Sequence, residues 1–271
     1  MPPEPSGVPA GAVAGSAVQT LTVDWPAVPG VAACMSTRAG GVSAAPWDSL
    51  NLGDHVGDDP AAVDENRRRW RRSLGGVQVQ WPQQVHGAVA VQATPQGWAP
   101  GAVPVADAVW SRQPGVACSV LVADCLPVLL AATNGRAVAA AHAGWRGLAA
   151  GVIEAALARV CEAAACPPAR VQAWLGPCIG ATRFEVGSDV VQACGGGGRF
   201  VPQGERDGRA RWLADLPALA RDRLAQAGVG SVHGGTWCTV LDSSRFFSFR
   251  RDGRTGRMAA AVWLVGDGAG G

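Results

Sequence analysis

The sequence predicts an α/β fold of the α+β kind, a layered sandwich of mixed β-sheets flanked by helices. Three observations lead there. Strand-like and helical patterns follow one another without the steady alternation of a doubly wound sheet, and no repeat of fixed period is present. The stretch "ADCLPVLLAATNGRAVAAAHAGWRG" at 123–147 sets two apolar runs, 126–132 and 137–141, around Asn134-Gly135, the strongest short hairpin signal. Glycine is abundant, yet no GxGxxG stands between a strand and a helix, so the dinucleotide fingerprint is missing.

Residues 1–20 carry Glu4 and several prolines, and lack the basic start and apolar stretch of a secretory leader. They are expected to be a disordered tail, with residues 21–267 forming a single catalytic domain. A short strand near 31–36 leads into the glycine-rich turn "TRAGGVS" at 37–43, and "DSLNLGDHVGDDP" at 48–60 reads as a loop. Asp58-Asp59-Pro60 marks a helix start, and the helix should run to about Leu74. Its "NRRRWRR" is expected to be a solvated face. Strands are expected near 77–81, 88–92, 103–110 and 115–122, before the hairpin. An alanine- and leucine-rich helix follows at 147–165, then strands at 171–176 and 184–186 and a helix at 188–194. "CGGGGRFVPQGERDGR" at 194–209 reads as a low-complexity loop. "WLADLPALARDRLAQAG" is an amphipathic helix stopped by glycine, and strands near 231–240, 246–250 and 258–264 close the chain.

The 271 residues have a net charge of +2, too near neutral to predict a nucleic-acid partner. All 23 basic residues are arginine, which excludes a lysine Schiff base and a P-loop lysine. Any anion must be held by arginine forks or backbone amides. Eight scattered cysteines without a CxxC pair point to a reduced, cytoplasmic protein, and no apolar stretch is long enough to cross a membrane.

Three groups of residues have the makings of chemistry. Cys125, His142 and His86 each stand where an apolar run hands over to a loop, and such ends can converge at one edge of a sheet. Two imidazoles and a thiolate make three ligands of a tetrahedron, the pattern of a catalytic zinc site. The other reading is two locally satisfied histidines and a structural thiol, and spacing leaves both open. Arg38 in "STRAGG", Arg146 in "AGWRG", and Arg250 and Arg251 in "SFRRDGRTGR" combine a fork with close backbone approach, a phosphate-binding pattern as well as a surface ion-pairing one. Asp107, Asp124 and Glu185 lie at strand ends, where they either cap turns or move protons. Cys178 and Cys238 read as core thiols.

Seven ordered blocks carry a resemblance: "STRAGGVS", "QQVHG", "ADAVW", "VADCLPVLL", "AHAGWRGLAAGV", "LGPCIGATRFEVG" and "FFSFRRDGRTGRMAA". Over residues 31–264 the chain resembles the YfiH-like laccase-domain family, whose members are described as polyphenol oxidases and as purine nucleoside phosphorylases and adenosine deaminases. The resemblance implies a layered mixed-sheet fold and a metal held by His86, Cys125 and His142. It also implies phosphorolysis of purine nucleosides and methylthioadenosine, with deamination of adenosine. Arg38, Arg146 and Arg250 are then the expected substrate and phosphate contacts, with Asp124 as acid or base. A His2Cys set with an open position suits zinc, and the same ligands accept copper. A trinuclear copper centre needs more than the four histidines present. The alternatives are a Cys125–His142 hydrolase, such as one editing peptidoglycan precursors, and a copper-dependent polyphenol oxidase. The expected partners are purine nucleosides and phosphate, with neither nucleic acid nor membrane, in a monomer or small homo-oligomer.

Overall fold

The computed structural model describes residues 17–99 and 101–266. Residues 1–16 of the expected tail, and residue 267, lie outside that range. Residues 17–20 of that tail are part of the described fold. Strand β1 (Thr20–Thr22) pairs antiparallel with β2 (Val31–Ser36), Thr20 opposite Ser36, and the Thr37 N–H donates to the Gln19 carbonyl at 2.9 Å.

Helix α1 (Pro60–Ser73) starts where the sequence says it should, because the Asp59 side chain accepts from Ala61 N–H and Pro60 fills the first turn. It buries Val63, Asn66 and Trp70. Glu65 pairs with Arg68, Arg69 and Arg72, so most of the arginine run is a solvated, internally compensated face.

Short strands β3 (Gln78–Gln80), β4 (Ala90–Gln92) and β5 (Ala108–Ser111) precede the long buried strands β6 (Val116–Val122), β7 (Leu126–Ala132) and β8 (Val138–Ala143). The β7–β8 hairpin turns at Gly135 (φ 68°) and pairs Leu126 with Ala143 and Pro127 with His142. The helix expected at 147–165 is two helices, α2 (Trp145–Ala150) and α3 (Val152–Ala164). Gly151 at φ 90° ends the first and opens the second, a bend that a side chain would resist.

Strand β9 (Val171–Leu175), β10 (Glu185–Val186) and α4 (Ser188–Ala193) follow as expected. The segment read as a low-complexity loop is instead largely a hairpin, β11 (Phe200–Arg206) and β12 (Arg209–Ala214). Its turn is Asp207-Gly208, both at positive φ, the Asp-Gly hairpin signal overshadowed by the preceding glycines. Helix α5 (Leu216–Gln226) is capped by Asp215, and β13 (Ser231–Gly234) is shorter than expected. The expected strand at 246–250 runs instead into the short helix α6 (Phe249–Asp252), because the Ser248 hydroxyl accepts the Arg251 N–H. Strand β14 (Met258–Leu264) closes the fold.

Two mixed sheets form, in the orders β1-β2-β14-β6-β3 and β13-β9-β7-β8-β5-β4, beside the small sheet β10-β12-β11. Strand alternation sets the layers. Leu129, Ala131, Val138 and Ala140 face Val120, Val122, Ala260 and Val262 between the large sheets. On the far side of the six-stranded sheet, Leu126, Val128 and Leu130 pack against Ile153, Leu157 and Val160 of α3. Ala117, Leu121, Ala259 and Ala261 cover Trp70 of α1 and Leu74, the residue that caps its end. The result is helix, sheet, sheet, helix, and the expected layered α+β sandwich is what the chain builds. No helix among the described residues is long and apolar enough to cross a membrane.

Candidate active site

The hairpin brings Cys125 and His142 together because Cys125 immediately precedes β7 and His142 lies near the end of β8. His86 arrives from the "QQVHG" loop in left-handed conformation at φ 62°. Gln84 ties that loop to β6, accepting from Leu121 N–H at 2.7 Å and donating to its carbonyl at 2.9 Å. The ligand atoms of His86, Cys125 and His142 all lie within 4.8 Å of one another, with His86 Nε2 at 3.7 Å from Cys125 Sγ.

Asp107 organises both imidazoles. Its fully buried carboxylate accepts from Val85, His86 and Gly87 N–H at 3.1, 2.9 and 2.7 Å, and from His142 Nδ1 at 2.8 Å. Burial works to raise the Asp107 pKa, but the hydrogen bonds from His142 and the Gly87 and Val85 amides outweigh it and hold it low. An ionised carboxylate can only accept, so His142 carries its proton on Nδ1 and turns Nε2 toward the site. Burial pushes the Cys125 thiol up, yet the His142 charge and the bonds from both imidazoles bring it to about 6. Burial likewise opposes charge on His142, while Cys125 and Asp107 raise it to about 9. The sulfur is poised as a thiolate, the form that binds metals and attacks carbon.

Two imidazoles and one thiolate at this spacing fit a divalent ion with one coordination place left for water or substrate. Gly144 leaves the room. Its φ of −62° suits any residue, but a Cβ there would lie 2.8 Å from Cys125 Sγ and 3.0 Å from His86 Cδ2.

The three residues open into a cleft of about 510 Å³, also lined by Asp124, Arg146, Phe249, Arg250 and Arg257. Asp124 is at φ 90°, and both its carboxylate oxygens are taken, by Thr239 Oγ1 at 2.5 Å and Arg250 N–H at 2.6 Å. That arrangement holds the turn before Cys125. Arg146 is exposed, with its guanidinium 4.2 Å from the Trp145 ring centre. Arg250 lies over Phe184 and donates to the Glu185 carbonyl at 3.1 Å.

Arg38, expected as a phosphate contact, is not among the residues that line the cleft. Its guanidinium binds the Asp48 carboxylate at 3.2 Å and the Asp48 and Ser243 carbonyls, and lies over Phe247. Arg251 is likewise bound to the Thr239 and Phe246 carbonyls and to Asp252. The Glu185 carboxylate pairs with Arg206 at the small sheet. Cys178 is buried, and half-buried Cys238 accepts the Gly180 N–H at 3.2 Å. Sequence reasoning missed His55, Gln84, Phe249 and Arg257 as cleft residues. His55 sat in a loop with no periodicity to orient it, and Phe249 in a stretch read as a strand.

Residues 32–265 match the family described as multi-copper polyphenol oxidoreductase laccase. The chain is 50% identical over 249 residues to a Pseudomonas aeruginosa protein named purine nucleoside phosphorylase PA4543, covering 90% of this chain and 98% of that one. It is 46% identical over 252 residues to Escherichia coli purine nucleoside phosphorylase YfiH, again covering 90% and 98%. The crystal structure of Neisseria meningitidis protein NMB0706 superposes with a TM-score of 0.83 at 47% identity, covering 91% and 99%. Sequence, fold and the joined His-Cys-His blocks agree: the chain belongs to the laccase-domain family that includes YfiH.

Proposed function

We propose that this chain is a zinc-dependent purine nucleoside phosphorylase that also phosphorolyses methylthioadenosine and deaminates adenosine. The observation that carries the reading is the cleft itself: a His86-Cys125-His142 donor set faces arginines and an exposed phenylalanine. Its support in sequence is the 50% identity to a protein named for that activity.

Phosphorolysis joins a phosphate oxygen to ribose C1′ as the bond from C1′ to the base nitrogen breaks; the base leaves with that electron pair and takes up the proton that hydrogen phosphate gives up. The cleft arginines attract and orient the phosphate, which cannot be held by lysine in a chain that has none. Phe249, 58% exposed at the cleft wall, offers a flat apolar face to the purine. Asp124 acts as a positioning residue, joining the Cys125 turn to the α6 segment that carries Phe249 and Arg250. His86, Cys125 and His142 would hold the metal, and zinc bound there would supply a positive charge to polarise an oxygen brought against it. The same site accepts copper, but four histidines in all, with His233 away on β13, do not make a multicopper centre.

The test is base release from inosine and adenosine with and without inorganic phosphate, on protein whose metal content is measured. Phosphate-dependent release with ribose 1-phosphate and one zinc per chain is expected. Free ribose formed without phosphate would remove the reading. A second reading rests on the lowered Cys125 pKa beside His142: a cysteine hydrolase acting without metal. Activity that survives complete chelation would favour it.

A further inference from the structure

The cleft contains a cation, Arg257, that forms no ion pair with an acid among the described residues. Several other arginines have a carboxylate partner: Arg38 with Asp48, Arg67 with Asp54, Arg245 with Asp242 and Arg251 with Asp252. Arg257 makes no ion pair among the described residues. It is half-buried where Arg146 and Arg250 are exposed, and it lines the cleft that holds Cys125 and both imidazoles. A half-buried guanidinium with no hydrogen-bonded counter-charge is costly to keep, and an anion bound against it would offset that cost.

The side chain is also fixed in place. Nη1 donates to the Thr255 and Gly256 carbonyls, each at 3.1 Å, which sets the plane of the guanidinium. No hydrogen bond among the described residues uses Nε or Nη2, the edge with two parallel N–H groups that matches two oxygens of a phosphate. The backbone is held on both sides, by Arg257 N–H to Asn51 Oδ1 at 2.9 Å and Leu52 N–H to the Arg257 carbonyl at 3.0 Å. Gly53 lies against the stem, where a Cβ would come 2.7 Å from Arg257 Cγ. Burial lowers the Arg257 pKa, opposed by Cys125 and Asp124, so the fold works against this charge. Asp124 forms no ion pair with Arg257, and its two oxygens accept from Thr239 Oγ1 and from Arg250 N–H.

We propose that Arg257 binds the attacking phosphate through its Nε–Nη2 edge, the guanidinium being pinned by Thr255, Gly256 and Gly53 for that purpose. The assignment rests on the phosphorolytic reading, and it names a residue that sequence reasoning did not select.

The experiment uses the full chain, metal-loaded, with Arg257→Lys and Arg257→Met, both of which keep an unbranched stem. Steady-state rates are measured with inosine while inorganic phosphate is varied, and then the reverse. The KM for phosphate should rise about tenfold in Arg257→Lys, where charge stays but the fork is lost, and about a hundredfold in Arg257→Met, with the KM for inosine within about twofold. Metal content and melting temperature show whether each variant is intact. Should Arg257→Met not fold, the Lys variant carries the test alone. An unchanged KM for phosphate, or a change confined to inosine, overturns the assignment.

Calorimetric titration of inorganic phosphate without nucleoside separates this failure from that of the parent reading. Phosphate binding by the wild type that weakens in the variants supports Arg257 even where no phosphorolysis occurs. Binding that is absent in the wild type, or equal in the variants, overturns it.

Discussion

The Asp107 carboxylate and the His142 imidazole meet at 2.8 Å through Nδ1, and the same carboxylate accepts the His86 backbone N–H at 2.9 Å. One buried acid therefore sets the ring of one histidine and the left-handed backbone of the other. Asp107→Asn keeps the size but loses the charge and turns an NH2 group toward existing donors. Metal affinity should fall about ten- to a hundredfold, as it does when a partner of a ligating histidine is removed. Stability should fall by roughly 2–4 kcal/mol, because buried donors lose their acceptor. Competition with a chromogenic chelator and a melting curve check both numbers. Unchanged metal affinity would reduce Asp107 to a turn cap.

Phe249 is 58% exposed, so removing its ring should hardly disturb the fold. A purine that stacks on it gains about 1–3 kcal/mol. Phe249→Ala is therefore expected to raise the KM for nucleosides about tenfold or more, with the KM for phosphate and the metal content unchanged. Equal KM values in the variant and the parent would place the base elsewhere in the cleft.

The N-terminal boundary makes a prediction about stability. A chain beginning at Leu21 lacks Thr20, the first rung of the β1–β2 pairing, and Gln19, whose carbonyl accepts the Thr37 N–H. It also lacks Val18, which packs on the cluster beneath α1. Compared with a chain beginning at Ala17, it should lose about 1–2 kcal/mol and melt about 2–8 °C lower. Equal melting temperatures would show that this edge strand contributes nothing.

Much of the frame was legible because buried strands announce themselves. The runs at 31–36, 115–122, 126–132 and 258–264 are apolar, lack internal proline or are tightly bounded, and became β2, β6, β7 and β14. Asp59-Pro60 and Asn134-Gly135 are local signals with local causes, and they placed α1 and the hairpin. The helix break at Gly151 is also local, but an alanine-rich pattern on both sides hid it. Chain entry into β1 was not legible, since a three-residue edge strand has too few side chains to show alternation. At the site, the ligand trio could be drawn from residue types and motif blocks, whereas partner choice could not. Arg38 and Arg257 both stand next to glycine-rich sequence. Only the fold shows that Asp48 takes the first and that no acid among the described residues pairs with the second. Asp107 had the look of a strand-end cap, and it is one, but its second contact, to His142, crosses 35 residues.

Gly144 gives the sharpest separation between the site and the fold. Its backbone is ordinary, so Gly144→Ala carries no dihedral strain, and as the residue capping α2 it uses no side chain. Loss of glycine at that cap costs stability of about 1 kcal/mol or less. The added methyl, however, must occupy space 2.8 Å from Cys125 Sγ and 3.0 Å from the His86 ring. Sulfur and ring have to move apart, and tetrahedral ligation tolerates distance errors of only about 0.2 Å. The variant should therefore fold, melt within a few degrees of the parent, and bind zinc at least about tenfold more weakly, with activity falling in step with occupancy. Excess zinc should restore part of the activity, because the donors themselves are unchanged. Full metal occupancy with normal turnover would mean that the three donors do not meet as closely as the fold places them. A variant that keeps activity while losing its metal would instead point to Cys125 and His142 working without an ion.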